Sequence, residues 1–450
     1  MTSAAPPPSH LPTGLDVGNA LLTDHYELTM VEAALRSGAA SRRCVFEVFA
    51  RRLPSWRRYG VVAGTGRLVD ALASFRFGDA ELTALEHVLD APTLRWLAGY
   101  RFTGDVWGYG EGETYFPGSP VLVVEGTFAE AVVLETLVLS ILNHDSAVAA
   151  AASRMTTAAG ERPCLEMGTR RTHEEAAVAA ARAAYVAGFR GTSNLAAGAR
   201  YGIPTIGTAA HAFTLLHDDE RAAFAAQVEA LGVGTTLLVD TYDVTEGVRT
   251  AVEVAGTGLG AVRLDSGDLL EQAHAVRAQL DELGATDTRI VVTSDLDEYA
   301  IAALAAAPVD SYGVGTSLVT GSGAPTAGMV YKLVAREGAD GELVGVAKRS
   351  VDKLSVGGRK QALRRRDADG SAVEEVIGIG HRPDPDDRNG GDDRVLLRQL
   401  VSRGEAVDAE SLADARARHA ASLAELPAVA RQLSRGEPVL TTRYEPATLG

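Results

Sequence analysis

Over residues 164–317 the chain repeats one rhythm: a short apolar run stops at polar or glycine residues and gives way to a helical pattern. The runs stop at 166–171, 191–194, 207–211, 240–243, 265–268, 293–295 and 313–317, so βα-like units follow one another at spacings of roughly 15 to 35 residues. Connections that are long and helical join parallel strands, because an antiparallel return needs only a hairpin. The pattern predicts an α/β fold whose parallel sheet is doubly wound or, as favoured, closed into an irregular barrel of about seven strands. In a barrel every strand's C-terminal end emerges on the same face, so Arg170, Thr208, His211, Asp240, Arg263, Asp265, Ser294 and Thr316 would ring one mouth. An open sheet would bring together only the ends beside its switch point.

That mouth has a definite chemistry. It holds Arg170, Arg171 and Arg263, the carboxylates of Asp240, Asp243, Asp265, Asp268 and Asp295, and Gly-Thr-Ser turns at 191–193 and 315–317. Arginine grips phosphate or carboxylate with two parallel hydrogen bonds, and Gly-Thr-Ser turns offer backbone N–H and hydroxyl donors to phosphate. Carboxylates hold Mg²⁺ that bridges phosphates, or steady sugar hydroxyls and developing positive charge. An aspartate just after a strand serves equally well as the N-cap of the next helix. His211 is central, in YGIPTIGTAAHAFTLL (201–216): residues 203–206 read as a short buried strand, Gly207 and Thr208 end it, and a helix starts at Ala209 with His211 in its first turn. A lone histidine there is often structural; the anion-binding neighbours single this one out.

The rest of the chain reads as a lobe built from both ends. Residues 1–15 form a Pro-rich leader without a secretory pattern, 16–150 and 333–450 a mixed α/β lobe, and 151–332 the barrel carrying the active site. Leu22, Tyr26, Met30 and Ala33 or Ala34 recur at helical spacing, with Thr23 or Asp24 as cap and Gly38 as stop. Residues 45–50 alternate as a strand, 79–100 are helical, and 104–126 contain short antiparallel strands. The Ala-rich run 128–159 is a helix or helix pair interrupted at 143–145. Lys332, Lys348, Lys353 and Lys360 are expected to face solvent, 382–394 to form an acidic loop, and 408–435 to be helical before a tail in coil.

A formal charge of -16 argues against a general nucleic-acid or anionic-membrane binder, so an anionic ligand must meet a local basic cluster. The two cysteines, Cys44 and Cys164, make no disulfide or metal framework, which suits the cytoplasm. No membrane span is expected, because the most apolar window, 129–152, carries Glu130, Glu135, His144 and Asp145.

Set side by side, LLTDHYELTM (21–30), FEVFARRLP (46–54), EMGTRR (166–171), GTSN (191–194), GTAAHAF (207–213), VDTYD (239–243), VRLDSGDL (262–269), TSDLDEY (293–299), YGVGTSLVT (312–320), VYKLV (330–334) and VAKRSVDKLS (346–355) resemble the nicotinate phosphoribosyltransferase family over nearly the whole length after the leader. The resemblance implies an irregular α/β barrel with a mixed lobe, a head-to-tail homodimer, and the Mg²⁺-dependent conversion of nicotinate, phosphoribosyl pyrophosphate, ATP and water to nicotinate mononucleotide, pyrophosphate, ADP and phosphate. It implies that His211 is phosphorylated by ATP and that Tyr26, Thr208 and Arg263 contact nicotinate. Thr316 would contact the phosphoribosyl group; Gly315, Arg170, Ser294 and Asn194 lie in matched motifs of the same site, and the first three are assigned to phosphoribosyl pyrophosphate. Two departures stand out: Ser119 where glutamate is expected, and the His144-Asp145 pair where small hydroxyl residues are common; both were expected to bear on the rim of the substrate channel. The alternatives are a nicotinamide phosphoribosyltransferase and a non-catalytic anion-binding barrel.

Overall fold

A computed structural model describes residues 18–348, 355–384, 392–407 and 410–446. The leader, Lys353 and much of the acidic loop lie outside them. Six parallel strands form one curled sheet in the order Gly191–Thr192, Cys164–Glu166, Ser311–Val314, Arg289–Val292, Ala261–Leu264 and Thr236–Leu238. A seventh position joins this sheet as a single parallel bridge between Thr192 and Thr205. The neighbours follow chain order around the barrel, and no pairing joins the Thr205 bridge to Thr236–Leu238. The expected buried strand at 203–206 is thus reduced to one bridge: Pro204 has no N–H to give, Thr192 N–H donates to its carbonyl at 3.0 Å, and only Ile203 of the four is buried.

Helices cover the outside of the sheet and are capped where the strands hand over to them. Asp243 accepts from Glu246 N–H at 2.9 Å, Asp268 from Leu270 and Glu271 N–H at 3.1 Å, and Asn194 from Ala197 N–H at 2.8 Å. Asp243 and Asp268 are therefore occupied as N-caps, which takes them out of the set of free carboxylates at the mouth.

The lobe is an antiparallel sheet whose members come from both ends of the chain. Its order is Leu343–Gly345, Met329–Glu337, Arg43–Ala50, Leu122–Thr127, Asp105–Tyr109, Leu397–Ser402 and Glu405–Ala406. The strand Arg43–Ala50 is buried on both faces beyond Arg43, where alternation was expected, because it lies mid-sheet and packs on either side. Residues 79–100 split into the helices Asp79–Leu85 and Ala91–Ala98. A four-stranded sheet contains Lys360–Arg366, Ala372–Ile379 and, against expectation for the tail, the strand Thr441–Glu445. The predicted helix at 408–435 is confined to Leu412–Ala424 and a short turn at Ala428–Arg431.

The helix Glu135–Ala159 ties the barrel to the lobe. Its break from the preceding helix Phe128–Val132 falls at Val133 and Leu134 rather than at 143–145. Those polar residues stay helical because each finds a partner: Asn143 accepts from Met329 N–H at 2.8 Å, and Asp145 meets Arg67 at 2.8 Å and His144 at 2.9 Å. By length and hydropathy the stretch Phe128–Ala159 would suit a membrane, yet 67% of its most apolar window is buried against protein, as in a core helix.

Buried charge is concentrated in the lobe. Arg364 is fully buried and donates to Thr114 O and Glu425 at 2.8 Å and to Glu375. The Ser119 hydroxyl also donates to Glu375, so this departure belongs to a buried network and not to a channel rim. Lys360, expected in solvent, is 1% exposed and bonds Glu47 at 2.7 Å. Burial pushes the Glu47 carboxyl up to about 7 despite that lysine.

Candidate active site

The strand Ala261–Leu264 buries Val262 and Leu264 and leaves Arg263 half-buried at its polar end. The guanidinium is held on every side. Nε donates to Thr293 Oγ1 at 2.9 Å, Nη1 to Ala209 O at 3.2 Å with Thr208 Oγ1 at 3.5 Å, and Nη2 meets Asp265 Oδ1 at 3.1 Å. The Thr293 hydroxyl donates onward to the same Asp265 oxygen.

Next to it stands His211, the first residue of the helix His211–Leu216. Its Nε2 lies 3.2 Å from Asp240 Oδ1. The side chain of Asp240, just after the neighbouring strand, is 2% exposed, and its other oxygen accepts from Asp265 N–H at 2.9 Å and Ser266 Oγ at 2.8 Å. An acceptor carboxylate opposite Nε2 requires that nitrogen to carry a proton, so in the neutral tautomer compatible with this bond the lone pair lies on Nδ1.

A cavity of about 190 Å³ opens beside Arg263. Arg170, Arg171, Ser294, Asp295, Gly315 and Thr316 share its wall with Arg263, Asp265 and Thr293. Arg170 and Arg171 are exposed and have no carboxylate partner among the described residues, so their charge is available to an anion. Ser294 has φ 125°, a region a non-glycine residue occupies only under constraint, and such strain concentrates at working sites. The loops meet tightly: a Cβ on Gly168 would lie 2.9 Å from Gly315 O. Larger cavities of about 740 and 750 Å³ lie in the lobe without this convergence of arginines and strand ends.

Of the residues singled out by sequence, Arg263, Thr316, Gly315, Arg170 and Ser294 share the cavity wall, while Thr208 and His211 are not on that wall and reach Arg263 and Asp240 instead. Tyr26 is elsewhere. It is 46% exposed on the lobe helix His25–Ser37, where burial and then Glu135 raise the pKa of its hydroxyl. Two contributors lacked a role in the sequence reading, Thr293 as the partner of Arg263 and Glu166, and Asp240, expected as a mouth carboxylate for Mg²⁺ or sugar hydroxyls, is the partner of His211. The Glu166 carboxylate is fully buried and accepts from Gly168 N–H and the Thr192 hydroxyl, tying the loop of Arg170 to the loop of Asn194. Burial raises its pKa while those two bonds oppose the rise. Each stands at a polar strand end, which was the available signal.

Residues 21–143 match the N-terminal domain of nicotinate phosphoribosyltransferase, and residues 163–376 match the nicotinate phosphoribosyltransferase family. A nicotinate phosphoribosyltransferase of Mycobacterium tuberculosis is 61% identical over 439 residues, covering 95% of either chain. One from Bacillus subtilis is 40% identical, over 76% of this chain and 72% of its own. The crystal structure of human nicotinic acid phosphoribosyltransferase superposes with a TM-score of 0.79 at 28% identity, covering 95% of this chain and 98% of the human one. The chain belongs to the nicotinate phosphoribosyltransferase family.

Proposed function

We propose that the chain makes nicotinate mononucleotide from nicotinate and phosphoribosyl pyrophosphate, with ATP hydrolysed through a phosphorylated His211. The observation that carries the reading is that Arg263 lies on the wall of a cation-lined cavity and that Asp265, its partner there, donates its N–H to the Asp240 that holds His211. Arg263, with Thr208 beside it, receives the carboxylate of nicotinate; Arg170, Ser294, Gly315 and Thr316 receive phosphoribosyl pyrophosphate. The pyridine nitrogen attacks the anomeric carbon as its bond to the pyrophosphate oxygen breaks, and positioning with charge stabilisation supplies the acceleration. Asp295 on the cavity wall is the carboxylate that would meet an Mg²⁺ ion brought in with the pyrophosphate. When bound, it neutralises the leaving group.

For the ATP step, Asp240 holds Nε2–H and Nδ1 attacks the γ-phosphorus, releasing ADP; water then takes the phosphoryl group. The added negative charge would stand on the helix that begins at His211, two residues after the Ala209 carbonyl that Arg263 holds, and would favour the state that binds phosphoribosyl pyrophosphate tightly.

Purified protein supplied with phosphoribosyl pyrophosphate and either base, with and without ATP, tests the reading. Nicotinate should be preferred over nicotinamide by roughly one to two decades, the worth of one charge-assisted pair, and Arg263→Ala should erase most of that. His211→Ala should lose ATP hydrolysis and phosphoenzyme while keeping a weak ATP-independent synthesis. Equal turnover of both bases points to the nicotinamide enzyme, and no pyrophosphate release to a binding protein.

We also propose a head-to-tail homodimer, because Tyr26 lies outside the cavity of its own chain and only the lobe of a second copy brings a Tyr26 to Arg263. Mixing Tyr26→Ala and Arg263→Ala proteins, each impaired in nicotinate turnover, should then raise that turnover to about a quarter of the unsubstituted level, since half of randomly paired dimers hold one intact site. No recovery after subunit exchange would reject this arrangement.

A further inference from the structure

We propose that Thr293 is a positioning residue that sets the base preference by orienting Arg263. This rests on the reading that Arg263 meets the nicotinate carboxylate. An arginine that must present a fork to a substrate cannot be left to pair freely with its nearest carboxylate. Asp265 is that carboxylate, 3.1 Å from Nη2 on the same strand end. The Thr293 hydroxyl lies between the two: it accepts from Arg263 Nε at 2.9 Å and donates to Asp265 Oδ1. It supplies the guanidinium with an acceptor that carries no charge, and it occupies part of the Asp265 oxygen that would otherwise draw the guanidinium in.

The packing explains why threonine suits this role. Thr293 is 4% exposed, and its methyl Cγ2 points at Gly313, where a Cβ would come within 2.5 Å. A β-branched side chain wedged in this way has one χ1 setting, which fixes where the hydroxyl points. The methyl sets the direction, and the oxygen does the orienting.

Thr293→Val keeps the shape and removes the oxygen. Arg263 Nε then loses its acceptor and Asp265 a donor, so the single 3.1 Å contact of Nη2 with Asp265 can become two-pronged through Nε and the guanidinium is spent internally. The KM for nicotinate should rise about tenfold, as for loss of one hydrogen bond to a charged group, and the nicotinate-to-nicotinamide ratio of kcat/KM should fall by a similar factor. The KM for phosphoribosyl pyrophosphate and the level of phosphoenzyme should stay within about twofold, since the hydroxyl makes no bond to those groups. Thr293→Ser, which keeps the oxygen, should recover most of the preference. In an Arg263→Ala background Thr293→Val should have no further effect on the base ratio, and a double-mutant cycle read by urea unfolding should show the pair coupled without any substrate present.

An unchanged base ratio in Thr293→Val overturns the proposal, as does a Thr293→Ser protein as impaired as Thr293→Val, which would assign the effect to the methyl group. If the unsubstituted protein turns over both bases equally, the selectivity role falls together with the assignment of Arg263, whereas the unfolding cycle still reports whether Thr293 holds Arg263. Lack of coupling in that cycle, with base preference intact, rejects the positioning role alone.

Discussion

An alanine Cβ at Gly313 would lie 2.5 Å from Thr293 Cγ2 and 2.7 Å from Met167 Sδ. The thioether can swing away, but the threonine methyl is short and branched, so Thr293 itself must move. Gly313→Ala should therefore destabilise the chain by about 1–3 kcal/mol and also raise the KM for nicotinate, because Arg263 loses its support. Urea unfolding and steady-state kinetics check the two parts; a loss of stability with an unchanged KM would show that Thr293 accommodates the methyl in place. At this scale the sequence exposed residue types better than residue duties. Arg263 and His211 stood out because a strand end places them at the mouth, but nothing in one sequence separates Asp240, which holds a histidine, from Asp243, which caps a helix three residues later. Only the direction of the side chain distinguishes them, and that is decided by tertiary packing.

Gly247 makes the corresponding case for an element. It is the fourth residue of the helix Val244–Ala255, where alanine would ordinarily gain up to about 1 kcal/mol of helix propensity. A Cβ there would sit 2.3 Å from Val239 O, the backbone of the strand end that leads into Asp240. Backbone cannot step aside as a side chain does, so overpacking of about 1–3 kcal/mol outweighs the propensity gain. Gly247→Ala should lower the urea midpoint and also weaken ATP coupling by displacing Asp240 from His211; a more stable protein would show that the helix shifts without strain. Elements were readable where their pattern was local. The helix His25–Ser37 has its Asp24 and Gly38 boundaries in the sequence, and the buried parallel strands announce themselves as apolar runs. The strand expected at 203–206 was misread because Ile-Pro-Thr-Ile has strand composition, while Pro204 limits the pairing to one bridge. The helix break near 143–145 was misread because Met329, Arg67 and His144 satisfy polar groups that in isolation look like an interruption.

At the scale of the whole molecule, acid should loosen the attachment of the C-terminal helix Leu412–Ala424. Burial holds the His419 imidazole down to about 4, with the Gly112 carbonyl partly opposing. A lowered folded pKa means that this stability is present above the ordinary value of 6.5 and is lost as pH falls through 4. Burial would raise Glu113, but Arg394 and Arg364 prevail and hold it at about 2, so its share persists above 4.5 and is lost towards pH 2. Glu47 acts in the opposite sense, losing stability as pH rises from 4.5 through 7. His419→Asn should therefore flatten the fall in urea midpoint between pH 6.5 and 4, and an unchanged slope would assign the proton uptake to another group. The barrel was foreseeable from its repeat, but the order of the lobe sheet was not, since strands hundreds of residues apart leave no local mark of their pairing. That order also bears on how the chain is made. The strand Arg43–Ala50 pairs with Leu122–Thr127 on one side and with Met329–Glu337 on the other. During synthesis the second partner leaves the ribosome roughly a quarter of a minute to a minute after the strand itself, and until then a buried-type strand presents a bare edge to the cell. The last part of the lobe can therefore assemble only after the barrel has been translated.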